Sequence, residues 1–292
     1  MAGIVKPNLS VTALAPWFGS ARQQAAAIAR QIGSVEWLGI PFCGGCSEVP
    51  WVRARSICCS DVHRHIYNLG WVISRNADEM LASVEGVLFH PDTLAEARKF
   101  IASIDGNPLE EMTDVSLRIA WAAAYYVNCW MSRSHAGAKD EFKQPLGVRY
   151  TASGGSSIAR WRGAVEGIKE WERILRNRVE FCCVGWEEFL LKKFRDREGH
   201  ALYLDPPWLI GGEAYAHRMT PENHRRMLSL VCARTTDRTR VVIRHCDHPL
   251  YRELLRERDG WEWIKQGSRN AGNNEVDEWL IVRGKLGFSL VA

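Results

Sequence analysis

Residues 202–212, LYLDPPWLIGG, set an aspartate, two prolines and a tryptophan directly after an apolar run. Pro206 and Pro207 fix φ and withhold their amide hydrogens, so the Pro206 carbonyl is held beside the Asp205 carboxylate and the two acceptors face one point. Trp208 adds a flat wall. Two acceptors with a stacking surface suit an exocyclic amine on a flat heteroaromatic ring, such as a purine. Hydrogen bonds from that amine to Asp205 and to the Pro206 carbonyl favour a pyramidal nitrogen, localise its lone pair and aim it at an electrophile such as a sulfonium methyl. Trp208 stacked on the base then helps to hold a nucleotide extruded from its duplex. The plain alternative is a strand end followed by a turn.

Two other stretches offer binding chemistry. IPFCGGC, residues 40–46, follows the strand-like run VEWLG; glycines at the carboxyl end of a strand let backbone approach a cofactor closely, although a glycine pair also makes an ordinary turn. RSICC leads into Ser60 and Asp61, where a carboxylate can accept from both hydroxyls of a ribose. Asp61 equally suits the N-cap of a helix beginning at Val62. Cys43 and Cys46, followed by Cys58, Cys59, His63 and His65, superficially resemble a zinc ligand set. Neighbours on a strand point to opposite faces and the first pair lies in a glycine turn, so that reading is set aside.

The elements that position these residues form an alternating pattern. Strand-like runs occur at residues 35–39, 55–59, 179–184, 201–204, 240–245 and 278–282. Helical periodicity occupies residues 23–32, 62–81 and 186–194, and Thr220-Pro221 supplies an N-cap with proline at the first helical position. Strands alternating with helices predict a mostly parallel sheet covered on both faces. From about Asp92 to Arg178 the pattern is helical, with a Gly/Ser-rich stretch at residues 151–157 and no convincing strand.

A chain of 292 residues suits one large α/β domain with an insertion. The apolar stretch Ile119 to Met131 falls short of the roughly 18 to 20 residues that span a bilayer and reads as a buried helix. The N-terminal residues lack the form of a signal peptide, and nine scattered cysteines suit reduced thiols. The expected compartment is the cytoplasm, with no membrane partner. A net charge of +4 permits a polyanionic partner without requiring one. Basic residues cluster at Arg149, Arg160, Arg162, Lys169, Arg173, Arg176 and Arg178, and again at His217, Arg218, His224, Arg225 and Arg226; a solvated helix face explains such clusters equally well.

LDPPW resembles the [DNS]PP[YFW] motif of amino-directed methyltransferases. Its placement after PFCGG, with a long insertion between, resembles the D12 class (Dam-like) of N6-adenine DNA methyltransferases. Further matches come in family order: WFGS (residues 17–20), SDVHRHIYNL (60–69), VEFCCVGWEEFL (179–190) and GSRNAGNNEVDEWLIVR (267–283). The resemblance implies an α/β, Rossmann-like S-adenosylmethionine-dependent methyltransferase sheet with helices on both faces. Residues 1–84 and 179–292 would form the catalytic core, and 85–178 a mostly helical insertion for recognising double-stranded DNA.

Asp205, Pro206, Pro207 and Trp208 are then the catalytic residues. Trp17, Gly19, Phe42, Gly44, Gly45, Asp61, Trp186 and Asp205 are expected to hold S-adenosylmethionine. No metal and no covalent enzyme intermediate are implied. Three departures bear on cofactor affinity: Ile40 stands where the family has an acid, Cys46 replaces a glycine, and Ala21 replaces a lysine. Arg22 is the expected substitute for that lysine, and Cys46 is tolerated if its φ is negative. Alternatives are an adenine N6-methyltransferase acting on RNA, and a nucleic-acid-binding homologue that has lost cofactor binding. The recognised site and oligomeric state are open, as is the choice among restriction-modification, phage and regulatory roles.

Overall fold

The computed structural model describes residues 6–133, 144–148, 156–210, 215–269 and 275–286. Arg149, residues 151–155, Gly211 and Gly212, and part of the 267–283 motif lie outside these residues. Seven strands, β1 (Ser34–Ile40), β2 (Arg53–Ser60), β3 (Val179–Cys182), β4 (His200–Leu204), β5 (Arg240–Cys246), β6 (Glu262–Arg269) and β7 (Glu275–Arg283), make one sheet of order β3-β2-β1-β4-β5-β7-β6. The five strands from β3 to β5 are parallel, and β7 runs antiparallel between β5 and β6. β5 is buried at every position, Arg240, Arg244 and His245 included along with its apolar residues, as befits a strand covered on both faces. The chain order reverses between β1 and β4, so their carboxyl ends border the crevice where such sheets bind ligands.

α1 (Ala25–Ile32) precedes β1; α2 (Arg64–Arg75), α3 (Ala77–Val84), α4 (Pro91–Ile104), α5 (Val115–Met131) and α6 (Ser157–Leu175) fill the stretch between β2 and β3. α7 (Trp186–Glu188), α8 (Pro221–Arg234) and α9 (Pro249–Leu254) complete the helices used below. α5 is the buried helix expected of the long apolar stretch, with Trp121, Tyr125 and Tyr126 all at most 1% exposed. It is fastened to α2 by Arg118 Nε donating to Asn68 Oδ1 at 2.8 Å and by Trp121 Nε1 donating to His65 Nδ1 at 2.8 Å. The central helices therefore share one apolar core with the sheet. Among the described residues, no helix is long and apolar enough to cross a membrane.

Three elements differ from the sequence pattern. The run over residues 62–81 divides at Asn76, which ends α2 and begins α3 with a non-helical φ of −133°; an asparagine competes for backbone hydrogen bonds and breaks helices. The run over 186–194 keeps only α7 before widening into a π turn, Phe189–Lys193, which sends both Phe189 and Phe194 into the core. β6 escaped detection because an edge strand half open to solvent carries little apolar alternation: Glu262, Lys265 and Gly267 are exposed.

Candidate active site

A cavity of about 250 Å³ opens at the carboxyl ends of β1, β2 and β4. Its wall includes Trp17, Gly19, Phe42, Gly44, Gly45, Asp61, Trp186, Asp205 and Pro207, so nine of the expected site residues converge from five separate stretches of chain. Pro206 is buried, and neither it nor Trp208 is part of that wall.

The turn after β1 is built tightly. Cys46 donates its backbone N–H to the Cys43 carbonyl at 2.8 Å, and Cys43 donates to the Ser60 carbonyl at 3.0 Å, tying the turn to the end of β2. Gly44 has a φ of +42°, and a Cβ there would meet the Trp17 indole nitrogen at 2.7 Å. Only glycine satisfies both demands. Asp61 locks this turn to the next element: Oδ2 accepts from the Gly44 N–H at 2.9 Å and Oδ1 from the His63 N–H at 3.0 Å. The N-cap of α2 is His63, not Asp61, and α2 begins at Arg64 rather than Val62. Burial raises the Asp61 pKa, and the two backbone donors oppose that shift.

Asp205 leaves β4 into a buried ion cluster that its own sequence stretch does not disclose. Arg244, from β5, donates from Nη1 to Asp205 Oδ2 at 2.8 Å and to the Gly19 carbonyl at 2.7 Å; its Nε pairs with Glu278 on β7. The Tyr203 hydroxyl donates to the same Asp205 oxygen at 3.2 Å. Oδ1 of Asp205 receives no hydrogen bond among the described residues, which leaves one acceptor oxygen for a ligand. Burial raises the Asp205 pKa against the pull of Arg244. Burial alone would lower the Arg244 pKa, but Asp205 and Glu278 more than offset it and hold the guanidinium charged.

Trp208 is half-buried and lies against this cluster. Its ring is 5.9 Å from the His245 ring, and the Arg244 guanidinium sits 5.2 Å from its centroid. Cation–π contact of this kind holds an indole in place.

The departures resolve individually. Cys46 has a φ of +54°, contrary to the negative value on which its tolerance was expected to rest; a side chain in the left-handed region costs about 1 kcal/mol or more. Ile40 is fully buried and off the cavity wall. Ala21 lines the cavity, whereas Arg22 is exposed and does not, so Arg22 is not placed as a substitute cation. Arg218 and His217 do line it. The rest of their cluster is engaged elsewhere: His224 Nδ1 lies 2.7 Å from the Tyr251 hydroxyl, Arg225 pairs with Glu253 at 2.9 Å, and Arg226 pairs with Glu187. In the other cluster, Lys169 and Arg176 both pair with Glu172, and Arg178 donates from Nε to the Ala54 carbonyl at 3.1 Å.

Sequence reasoning missed Glu48, His63, Tyr215 and Arg244 as site residues. Arg244 left a readable signal, an arginine directly after the apolar residues Val241–Ile243 of a strand-like run. Glu48 lines the cavity at 3% exposure, and burial pushes its carboxyl up to about 8.

A seven-stranded sheet of this order, with a glycine turn after β1, an acid after β2 and Asp205 and Pro207 after β4 around one cavity, defines a Rossmann-like S-adenosylmethionine-dependent methyltransferase. The family model of the D12 class N6 adenine-specific DNA methyltransferases matches residues 17–267, and the chain belongs to that family. It is an enzyme whose substrate is DNA and whose methyl donor is S-adenosylmethionine. The cavity fits that donor: glycine backbone for close approach and the Asp61 carboxylate for hydroxyls line the same space.

No curated protein matches the chain in sequence. Among solved structures it is similar to an rRNA methylase from Streptococcus thermophilus (9% identity, 90% of this chain and 95% of that one, TM-score 0.36). It is also similar to a precorrin 8w decarboxylase from Methanobacterium thermoautotrophicum (10% identity, 91% of each chain, TM-score 0.36). An rRNA methyltransferase from Streptomyces viridochromogenes gives 11% identity over 90% of this chain and 82% of that one, at a TM-score of 0.35. Likenesses this distant leave the fold to be read from the strand order itself.

Proposed function

We propose that the cavity between β1 and β4 is the catalytic centre at which adenine in double-stranded DNA is methylated on N6, with the target base extruded from the duplex. The observation that carries the reading is the half-engaged Asp205 carboxylate: Oδ2 is tied to Arg244 and Tyr203, and Oδ1 receives no hydrogen bond among the described residues. A fixed carboxylate of this kind orients an amine without the reorganisation that a free one would need. Bound S-adenosylmethionine supplies the electrophilic methyl.

In this reading Asp205 and the Pro206 carbonyl accept the two amine hydrogens and direct the nitrogen lone pair into the cavity. Pro207 stiffens the loop, and Trp208, braced by Arg244, stacks on the extruded base. Trp17, Gly19, Phe42, Gly44, Gly45, Asp61 and Trp186 hold the donor, with Asp61 meeting ribose hydroxyls. Residues 85–178 recognise the target, and His217 and Arg218 supply cationic contacts at the cavity. The expected setting is the cytoplasm.

The test is transfer of isotopically labelled methyl to duplex DNA, single-stranded DNA and structured RNA, followed by nucleoside analysis. N6-methyladenine in duplex DNA alone is the expected result. Preferential labelling of RNA would overturn the substrate assignment, and labelling of cytosine would overturn the base.

A further inference from the structure

Behind the glycine turn, Cys43, Cys46 and Cys59 bring their three sulfurs within 4.8 Å of one another, all buried. Strand alternation excludes a site using both Cys58 and Cys59 but leaves Cys59 free to join the pair on the turn. Cys58 faces the opposite layer, 3.9 Å from the Cys182 sulfur. We propose that Cys43, Cys46 and Cys59 form a thiolate site for a thiophilic d¹⁰ cation, zinc being the natural choice, that pins the cofactor turn to β2.

Four observations support the site. Sulfurs bound to zinc at about 2.3 Å in a tetrahedron stand about 3.8 Å apart, a spacing that small side-chain adjustments reach from the present one. Cys46 occupies a left-handed conformation that glycine would adopt freely, and its side chain makes up one third of the cluster. A strained residue held where an unstrained one would serve points to a use for its thiol. Glu48, 3% exposed, lies outside the three-sulfur group but within electrostatic reach of Cys46 and Cys59, and its Oε1 has no hydrogen-bond partner among the described residues, so a side-chain shift would bring it in as a fourth donor. Finally, Cys43, Cys46 and Glu48 line the cavity, which provides an entry path, while Cys59 lies deeper, so the cation sits behind the turn. Binding deprotonates the three thiols and releases their protons to solvent, with no change of oxidation state.

The test uses the full-length chain, kept reduced with a phosphine and stripped of metal, then titrated with Cd²⁺ while the ultraviolet thiolate-to-metal charge-transfer band is followed. A saturable band at one equivalent is expected. Cys46→Gly, which relieves the backbone and so keeps the fold, and Cys59→Ser should each weaken binding by at least about tenfold, while Cys58→Ser on the other face should leave it intact. Circular dichroism establishes that each variant is folded. Absence of a saturable band in the wild type would overturn the site. So would a band that survives unchanged in folded Cys46→Gly, or one lost in folded Cys58→Ser.

Discussion

Arg244, on β5, and Asp205, directly after the adjacent β4, are joined by a 2.8 Å ion pair in which the arginine is 8% and the aspartate 15% exposed. The guanidinium spans three loads at once: it neutralises Asp205, pairs with Glu278 and holds the Gly19 carbonyl at 2.7 Å. One side chain thus couples the carboxylate expected to receive substrate with the loop expected to hold the donor.

Replacing Arg244 by Met leaves two buried carboxylates without a counter-charge. Loss of one partner from a buried pair costs about 3 to 5 kcal/mol. Urea denaturation of Arg244→Met should show a loss of that order, and adding Glu278→Gln should restore part of the stability without restoring turnover. Wild-type stability in the single variant would show that the cluster is not a coupled unit.

Asp205→Ala should leave a folded protein whose methyl transfer is slower by on the order of 10² or more, by analogy with the loss of one preorganised contact to a reacting group. Single-turnover rates on duplex DNA check this. A folded variant with wild-type rates removes Asp205 from the chemistry.

Asp61→Ala should raise the dissociation constant for S-adenosylmethionine by about tenfold or more, since a hydrogen bond to a charged group contributes about 1.5 to 3 kcal/mol. Its backbone bonds to Gly44 and His63 also order the turn. Calorimetric titration of Asp61→Asn, which keeps an acceptor, separates the two effects: recovery of thermal stability without recovery of affinity assigns the charge to the ligand.

Trp208 tests stacking. Trp208→Ala should depress methylation strongly, and Trp208→Tyr or Phe should retain much of it, because stacking needs a π-face. Emission from 2-aminopurine at the target base should rise on extrusion and be partly quenched by Trp208. If Trp208→Ala lowers only the melting temperature, its contacts with His245 and Arg244 are structural.

His224, completely buried beside Tyr251, has its pKa lowered to about 4, chiefly by burial. Against an unfolded value near 6.5, the unfolded chain binds the extra proton first, so stability is lost as pH falls from about 6.5 towards about 4, by up to about 1.4 kcal/mol per pH unit. His245, lowered to about 3 by burial, adds to the same slope. Melting temperatures should therefore fall below about pH 6.5, and His224→Gln should flatten the fall. An unchanged slope would mean that His224 titrates normally.

Short-range information was enough for much of this protein. The order of six of the seven strands, the DPPW stretch after a strand, the glycine turn and the acid at Asp61 were legible because each depends on local constraints: apolar periodicity, fixed φ at proline, and the lack of a Cβ at glycine. What the sequence did not disclose are relations across the sheet. Arg244 reaches Asp205 because β5 lies next to β4, and Glu278 joins them because β7 turns antiparallel beside β5. Cys59 meets Cys43 and Cys46 because the turn after β1 folds back on the end of β2, and the positive φ of Cys46 is imposed by that turn. Charge clusters along the chain said little, since Lys169, Arg176, Arg225 and Arg226 each find acidic partners, His224 is buried beside Tyr251, and only His217 and Arg218 of their group line the cavity. Pairing of buried charges and thiols depends on which strands are neighbours, and strand neighbours are set by burial of the whole sheet rather than by any segment of it.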